Sequence, residues 1–304
     1  MKLLTVFTPA YNRGYILPNL YQSLLAQTDS CFEWVIVDDG SSDNTEELVK
    51  SWIKEANIYI NYKRQPNQGK HIAINTGLTL ARGELFFIVD SDDDLTPDAV
   101  YKVREFWKAN QPKSDISGII SYRQFRDGRL VGTRLPENIS RCKLRETGNK
   151  YGSIGDKVVI YRTEVMRRFL FPKFEGERFL GESVMYNQID DEYDMLVMNA
   201  RIYNFDYQED GLSQDFRKLY RNNPNGFLLQ FEQGSKYALG FKAKLKNAAH
   251  IACLCWHLDK TKYYFASSNI LLRLMAFPIG LALYHKIFVR KVSDVKPFME
   301  SENQ

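Results

Sequence analysis

The chain has 304 residues, 44% hydrophobic and 26% charged, enough apolar material for one large catalytic domain with an appendage or for two modest domains. With 13% aromatic residues, that composition excludes a disordered or fibrous chain. The formal net charge of +4 belongs to the tail: from Lys236 onward eleven Lys or Arg stand against four Asp or Glu, while the remainder is slightly acidic, and no nucleic-acid partner is expected. Met1 and Lys2 lead straight into an apolar run that halts at Tyr11, Asn12 and Arg13, so no signal peptide is expected. Cys31, Cys142, Cys253 and Cys255 are few and unevenly spaced, which predicts free thiols in a reducing compartment.

In chain order, residues 3–8 predict a buried strand, 15–27 a helix, 34–38 a strand, 43–56 a helix and 58–62 a strand. The alternation continues with a helix at 70–82, a strand at 85–90, a helix at 97–109 and a strand at 116–120. Such a sequence of units predicts an α/β fold with a mostly parallel sheet and flanking helices. Asp43 with Glu46 reads as a capping box, and Thr96 before Pro97 as a cap followed by proline in the first turn. Residues 121–157 are rich in Gly, Arg and polar side chains, the pattern of long connections that shape an acceptor site. Residues 177–193 are again helical in pattern, and 224–292 predict a helical C-terminal appendage. The boundary expected is a catalytic domain over 1–223 followed by an appendage over 224–304.

In open α/β sheets ligands bind beyond the carboxyl ends of the strands, so the loops there carry the argument. The fourth strand ends in Asp90, Ser91, Asp92, Asp93, Asp94, and such crowding of carboxylates is costly unless a cation relieves it. Hard oxygen ligands suit Mg²⁺ or Mn²⁺, which takes one or two protein carboxylates when phosphates supply the rest. Solvated turn and cap residues are the other reading, and Asp94 is assigned to it. The second strand ends in Asp38, Asp39, Gly40, Ser41, Ser42; an Asp here can accept from a ribose hydroxyl or a uracil imide, or simply turn the chain into a helix. After the first strand, Thr8 to Gly14 contains neither a dinucleotide fingerprint nor a P-loop; Tyr11 can stack on a base and Arg13 can approach phosphate.

Taken together, TPAYNRGYILPNLYQSLLAQ, WVIVDDGSSDNT and NQGKHIAINTGLTLARGELFFIVDSDDDL, in that order over about the first 110 residues, resemble family 2 glycosyltransferases. That resemblance implies a GT-A fold, a nucleotide-sugar donor, commonly uridine-linked, a divalent metal and inversion at the anomeric carbon. It divides the catalytic domain into a nucleotide-sugar-binding half, 1–112, and an acceptor half, 113–223. It places Thr8, Ala10 and Tyr11 around the nucleobase, Asp39 on the base, Asp90 on the ribose or sugar side with Ser91 beside it, Asp92 on the metal, and Lys70 and His71 near the donor. Asp39 and Asp92 are thus expected to open on one pocket. Inverting transfer also needs a base for the acceptor hydroxyl. The resemblance assigns it to Glu182, with Ser183 standing where many relatives carry Asp and Glu177 in reserve. It further implies a loop at Tyr207–Ser213 that closes over the donor; an ordinary Asp-Gly turn fits the same residues.

In the tail, His250, Cys253, Cys255 and His257 are zinc-ligand types, but on a helix a seven-residue separation spans about 10 Å, too wide for one tetrahedral site, so they are assigned to packing. The apolar run Leu274–His285 has twelve residues, short of the roughly 20 needed to cross a bilayer. It is expected either to lie in the interface, aided by Lys and Arg, or to pack against protein. The functional expectation is transfer of sugar to a glycan or lipid-linked acceptor in surface-polysaccharide synthesis, by a cytoplasmic protein held peripherally at the inner membrane face. A sugar-phosphate nucleotidyltransferase and a non-catalytic scaffold of a glycan-assembly complex are the alternatives.

Overall fold

Strand and helix alternate from the first turn of the chain, because each apolar strand needs a helix to cover it before the next can pair. The computed structural model describes residues 3–205, 216–266 and 269–289, and the chain divides into two compact units, Met1–Gly211 and Leu212–Gln304. The second unit therefore begins about a dozen residues before the expected boundary. The Tyr207–Ser213 motif lies outside the described residues.

The first unit runs β1 (Leu4–Ala10), α1 (Leu17–Leu25), β2 (Phe32–Asp38), α2 (Thr45–Glu55), β3 (Ile60–Arg64), α3 (Lys70–Leu80), β4 (Leu85–Ile88), β5 (Asp94–Leu95) and α4 (Ala99–Asn110). It continues through β6 (Ile116–Phe125), β7 (Arg141–Cys142), α5 (Glu146–Asn149), β8 (Lys157–Arg162), α6 (Thr163–Met166), α7 (Ser183–Glu192) and β9 (Asp194–Phe205). The sheet order is β3-β2-β1-β4-β8-β6-β9-β5, with β7 paired to β9. Strands β1 to β4 are parallel as expected, but β8 lies antiparallel between β4 and β6, and β5 and β7 are antiparallel to β9. The sheet is thus mixed: its first half follows from local alternation, whereas its second half is assembled by pairings between strands far apart in sequence.

Two expected caps take a different form. The Asp43 carboxylate accepts from Thr45 N and Oγ1 and from Gly14 N, which ties the first two loops together, while Glu46 pairs with Lys50 and Arg64. Helix α4 starts two residues later than expected, because the tetrad Asp90–Asp94 is followed by β5 pairing to β9 before Asp98 takes the cap position. The core beneath β1 and β2 is built on Tyr21, Trp34 and Trp52, whose rings stack at 4.2 to 6.1 Å. The Trp34 indole N–H donates to Thr8 Oγ1 at 3.0 Å, so this large ring is fully enclosed with its one polar atom paired.

The second unit is helical: α8 (Phe216–Asn222), α9 (Pro224–Tyr237), α10 (Gly240–His257), α11 (Thr261–Phe265), α12 (Ile270–Tyr284) and a π-helical turn His285–Val289. Tyr220 is fully buried among Phe216, Phe227, Phe231 and Phe288. His250 stacks on Phe231 at 4.2 Å, His257 stacks on Phe288 at 3.8 Å, and Cys253 and Cys255 are buried, all packing positions. Helices α10 and α12 meet through small residues: a Cβ on Gly280 would fall 2.4 Å from Ala252 Cβ and 2.7 Å from Ala249 O. From Ile270 to Val289 the helix continues for 20 residues through Pro278, longer than the twelve-residue run expected, since apolar residues resume beyond both Arg273 and Lys286. Replacing Trp34 with Ala is expected to lower stability by about 3–5 kcal/mol, read as a reduced urea midpoint for the first unit by circular dichroism.

Candidate active site

The carboxyl ends of β1, β2 and β4 lie side by side, in a register that pairs Ala10 with Asp38 and Phe7 with Ile88. Three loops therefore rise from neighbouring strands, and hydrogen bonds lace them together. Asn12, at φ +54°, donates its N–H to Ser41 Oγ and accepts from Ser42 N, while Arg13 N donates to Thr45 Oγ1. Tyr11 is left exposed at this edge, and Arg13 bonds the Tyr15 hydroxyl at 2.8 Å. Ala10 is buried, and Thr8 is wholly enclosed with its hydroxyl accepting from Trp34, so the Thr8 side chain supports the core instead of facing a ligand.

Asp39 is buried and heavily committed. Its Oδ1 accepts from Gln65 Nε2 and Gln68 N, and its Oδ2 accepts from Gly69 N at 2.7 Å. This carboxylate fixes the turn that launches α3. Gly69 is indispensable there: at φ +91° its position would bring any Cβ within 1.9 Å of Arg178 O. The segment leading into α7 is thereby seated directly on the start of α3.

That seating brings Lys70 to Glu182. The Lys70 ammonium lies 2.6 Å from Asp90 Oδ1 and 2.8 Å from Glu182 Oε1, and Glu182 Oε2 accepts from the Tyr186 hydroxyl at 3.2 Å. Burial works against the ammonium, but the charges of Asp90 and Glu182 overcome it and raise its pKa. For Asp90, burial is likewise outweighed, chiefly by Lys70, with Arg123 and Arg13 adding to the effect, and its carboxyl is held below the usual range. All three charged groups line a cavity of about 360 Å³ together with Arg123, Tyr186 and Tyr203. Glu177 is buried in the segment before α7 and does not line it, whereas Glu182 does.

The acidic run divides by partner. Asp93 is buried and accepts from the Tyr203 hydroxyl at 2.7 Å; burial, then the charges of Asp90 and Asp92, push it up to about 7. Asp94 accepts from Asn204 Nδ2 and pairs with Arg126. Ser91 is buried between Asp90 and Asp92. Asp92 is partly exposed, engages no other side chain among the described residues, and is raised in pKa by burial and then by Asp90. It is the one carboxylate of the run left for a cation. Among the described residues no group of three or more His, Cys, Asp or Glu forms a complete metal site. A single uncommitted carboxylate suits an Mg²⁺ or Mn²⁺ ion that takes its remaining ligands from substrate phosphate and water.

Asp39 and Asp92 do not open on one cavity as expected among the described residues. A second cavity, about 410 Å³ and open, is lined by Gly40, Arg64, Gln65, Pro66 and Asn67. Asp39 and Asp92 are not lining residues of either; the link runs from Asp39 through Gly69 and Lys70 to Asp90. Arg123, Tyr186 and Tyr203 carry no local sequence signal, because ordinary strand and helix residues become site residues only when β6, α7 and β9 are brought beside β4.

The family model for glycosyl transferase family 2 matches residues 5–171, more than half the chain. The chain belongs to that family. Curated relatives include an uncharacterised glycosyltransferase of Nostoc, 31% identical over 56% of this chain and 53% of the relative. Another is a GalNAc(5)-diNAcBac-PP-undecaprenol β-1,3-glucosyltransferase of Campylobacter jejuni, 28% identical over 59% of this chain and 51% of the relative. The chain thus spans about half the length of these relatives. TarS 1–349 from S. aureus, solved in complex with UDP-GlcNAc, superposes with a TM-score of 0.59 at 17% identity over 94% of this chain and 81% of that one. The mannosyltransferase PcManGT from Pyrobaculum calidifontis, in complex with GDP-Man and Mn²⁺, gives a TM-score of 0.53 at 18% identity over 93% and 81%. The fold is therefore GT-A-like, and the family match sets aside the nucleotidyltransferase alternative.

His71, next to Lys70, is buried, with Nδ1 unpartnered and its ring edge-on to Phe171, and burial pushes its pKa down to about 4. A histidine depressed in the folded state binds fewer protons than in the unfolded chain between about pH 4 and 6.5, so its contribution is present above that window and lost as pH falls through it. His71→Gln is expected to remove roughly 2 kcal/mol of the stability difference between pH 7 and pH 5, measured by urea unfolding at the two values.

Proposed function

We propose that the chain is an inverting glycosyltransferase that moves a sugar from a nucleoside-diphosphate donor, most consistent with a uridine nucleotide, to an acceptor hydroxyl. The observation that carries this reading is the single cavity in which Glu182 and the donor-side carboxylate Asp90 share one ammonium. In the reaction the acceptor oxygen attacks the anomeric carbon, the bond to the diphosphate breaks on the opposite face, and the acceptor proton passes to a carboxylate oxygen of Glu182. Lys70 aims that carboxylate, Tyr186 holds its second oxygen, and Arg13 places positive charge where the diphosphate departs. Held by Asp92, a divalent ion would supply Lewis-acid stabilisation of the leaving phosphates, a contribution of several kcal/mol in general.

The Campylobacter relative is named for an undecaprenol-linked substrate, and others are named undecaprenyl-phosphate 4-deoxy-4-formamido-L-arabinose transferases. We read the acceptor accordingly as a growing glycan or a polyprenyl-linked sugar, in surface-polysaccharide synthesis at the inner face of the membrane. The second unit supports a membrane role. Along Ile270–Val289, residues Leu271, Leu274, Met275, Ile279 and Val289 are exposed, while Ala276 and Gly280 turn toward α10. Twenty residues reach about 30 Å, enough to cross a bilayer. Because one face is covered by α10, which carries exposed Lys242, Lys244 and Lys246, an in-plane placement fits better than crossing.

Incubation with UDP-sugars and Mn²⁺ is expected to yield donor hydrolysis or transfer. Asp92→Asn should abolish the metal-dependent part while the protein stays folded, and Glu182→Gln should lower turnover at least about 100-fold with donor affinity nearly unchanged. Metal-independent turnover by Asp92→Asn, or full-rate transfer by Glu182→Gln, contradicts the assignment. For the second unit, changing Leu271, Leu274 and Met275 together to Ser is expected to release the protein from anionic liposomes in co-sedimentation. Resistance of the wild type to alkaline carbonate extraction would indicate crossing instead.

A further inference from the structure

Three cations line the cavity that holds Glu182, and two of them are fully engaged. Lys70 is neutralised by Asp90 and Glu182, and the Lys157 ammonium donates to the carbonyls of Ile154 and Gly155 at 2.9 and 2.8 Å. The third, Arg123 on β6, makes no side-chain hydrogen bond and no ion pair among the described residues, and its buried Nε has no acceptor. Asp90, Asp93 and Asp156 act on it through their charges alone: Asp90 is ion-paired with Lys70, Asp93 accepts from the Tyr203 hydroxyl, and Asp156 on the rim is exposed. The guanidinium is nevertheless held in place, 4.8 Å over the Tyr203 ring and 5.7 Å over that of Phe205. A planar donor fork, fixed by stacking and with no hydrogen-bond acceptor among the described residues, is costly to keep partly buried unless a ligand supplies the acceptor oxygens.

We propose that Arg123 binds phosphate oxygens of a substrate in this cavity and is a specificity-determining residue of the transferase. The inference rests on the glycosyltransferase reading, in which both substrates can carry phosphate: the donor as its diphosphate, and a lipid-linked acceptor as its linkage. Guanidinium geometry matches phosphate with two parallel N–H···O bonds, which a lysine cannot reproduce. Tyr203 thus serves twice, holding Asp93 through its hydroxyl and Arg123 through its ring face.

The test is calorimetric binding to the full chain of two matched pairs, UDP against uridine in the presence of Mn²⁺, and farnesyl phosphate against farnesol. Arg123→Met is expected to weaken at least one phosphate-bearing probe by roughly tenfold or more and to leave its phosphate-free counterpart unchanged. Arg123→Lys, which keeps stem and charge, should fall between Met and wild type, and it decides the matter alone if the Met variant does not fold. Loss confined to UDP places the phosphate on the donor, and loss confined to farnesyl phosphate places it on the acceptor. Variants that bind both probes as the wild type does overturn the role of Arg123 and leave the transferase reading standing; a wild type that binds neither probe overturns both.

Discussion

One ammonium group holds this site together. Lys70 stands between Asp90, which belongs to the loop after β4, and Glu182, which caps α7 more than ninety residues later in the chain. Without it, two partly buried carboxylates would face one cavity and repel each other. Its position is not a matter of side-chain reach alone. Asp39 grips the backbone of Gln68 and Gly69, and the absence of a Cβ at Gly69 lets the Arg178 carbonyl settle on the start of α3. A carboxylate that the family resemblance places on the nucleobase thus also anchors the turn that brings Lys70 to the cavity.

The mixed sheet explains why the cavity draws residues from both halves of the domain. Parallel strands β1 to β4 put their loops at one edge, where the acidic run and Arg13 gather. Antiparallel insertion of β8 beside β4 then carries β6 and β9 to the same edge, so Arg123 and Tyr203 face Asp90 from the other half of the domain. Short β5, pinned to β9, keeps Asp93 and Asp94 turned into the protein and leaves Asp92 outward. Four aspartates of identical chemistry acquire separate surroundings because their neighbours differ.

The second unit follows a different logic. Small residues at the crossing of α10 and α12 allow close backbone approach, while the large apolar side chains of α12 lie on the opposite face. Lysines along the first turns of α10 contribute to the positive surplus of this part of the chain.

From the sequence alone came the βα alternation, the helical tail, the family, and the carboxylates that end β2 and β4, because each is written in contiguous residues whose spacing reports local periodicity or a short motif. Packing of His250, Cys253, Cys255 and His257 was likewise legible, since helical geometry by itself separates them. Tertiary structure decided the rest: that Asp39 and Thr8 spend their polar atoms inside the protein, that Glu182 and not Glu177 lines the cavity, and that Arg123 stands beside it with no acceptor for its Nε among the described residues. Those outcomes depend on which distant strand pairs with which, and a contact across a hundred residues leaves no trace in the pattern on either side of it.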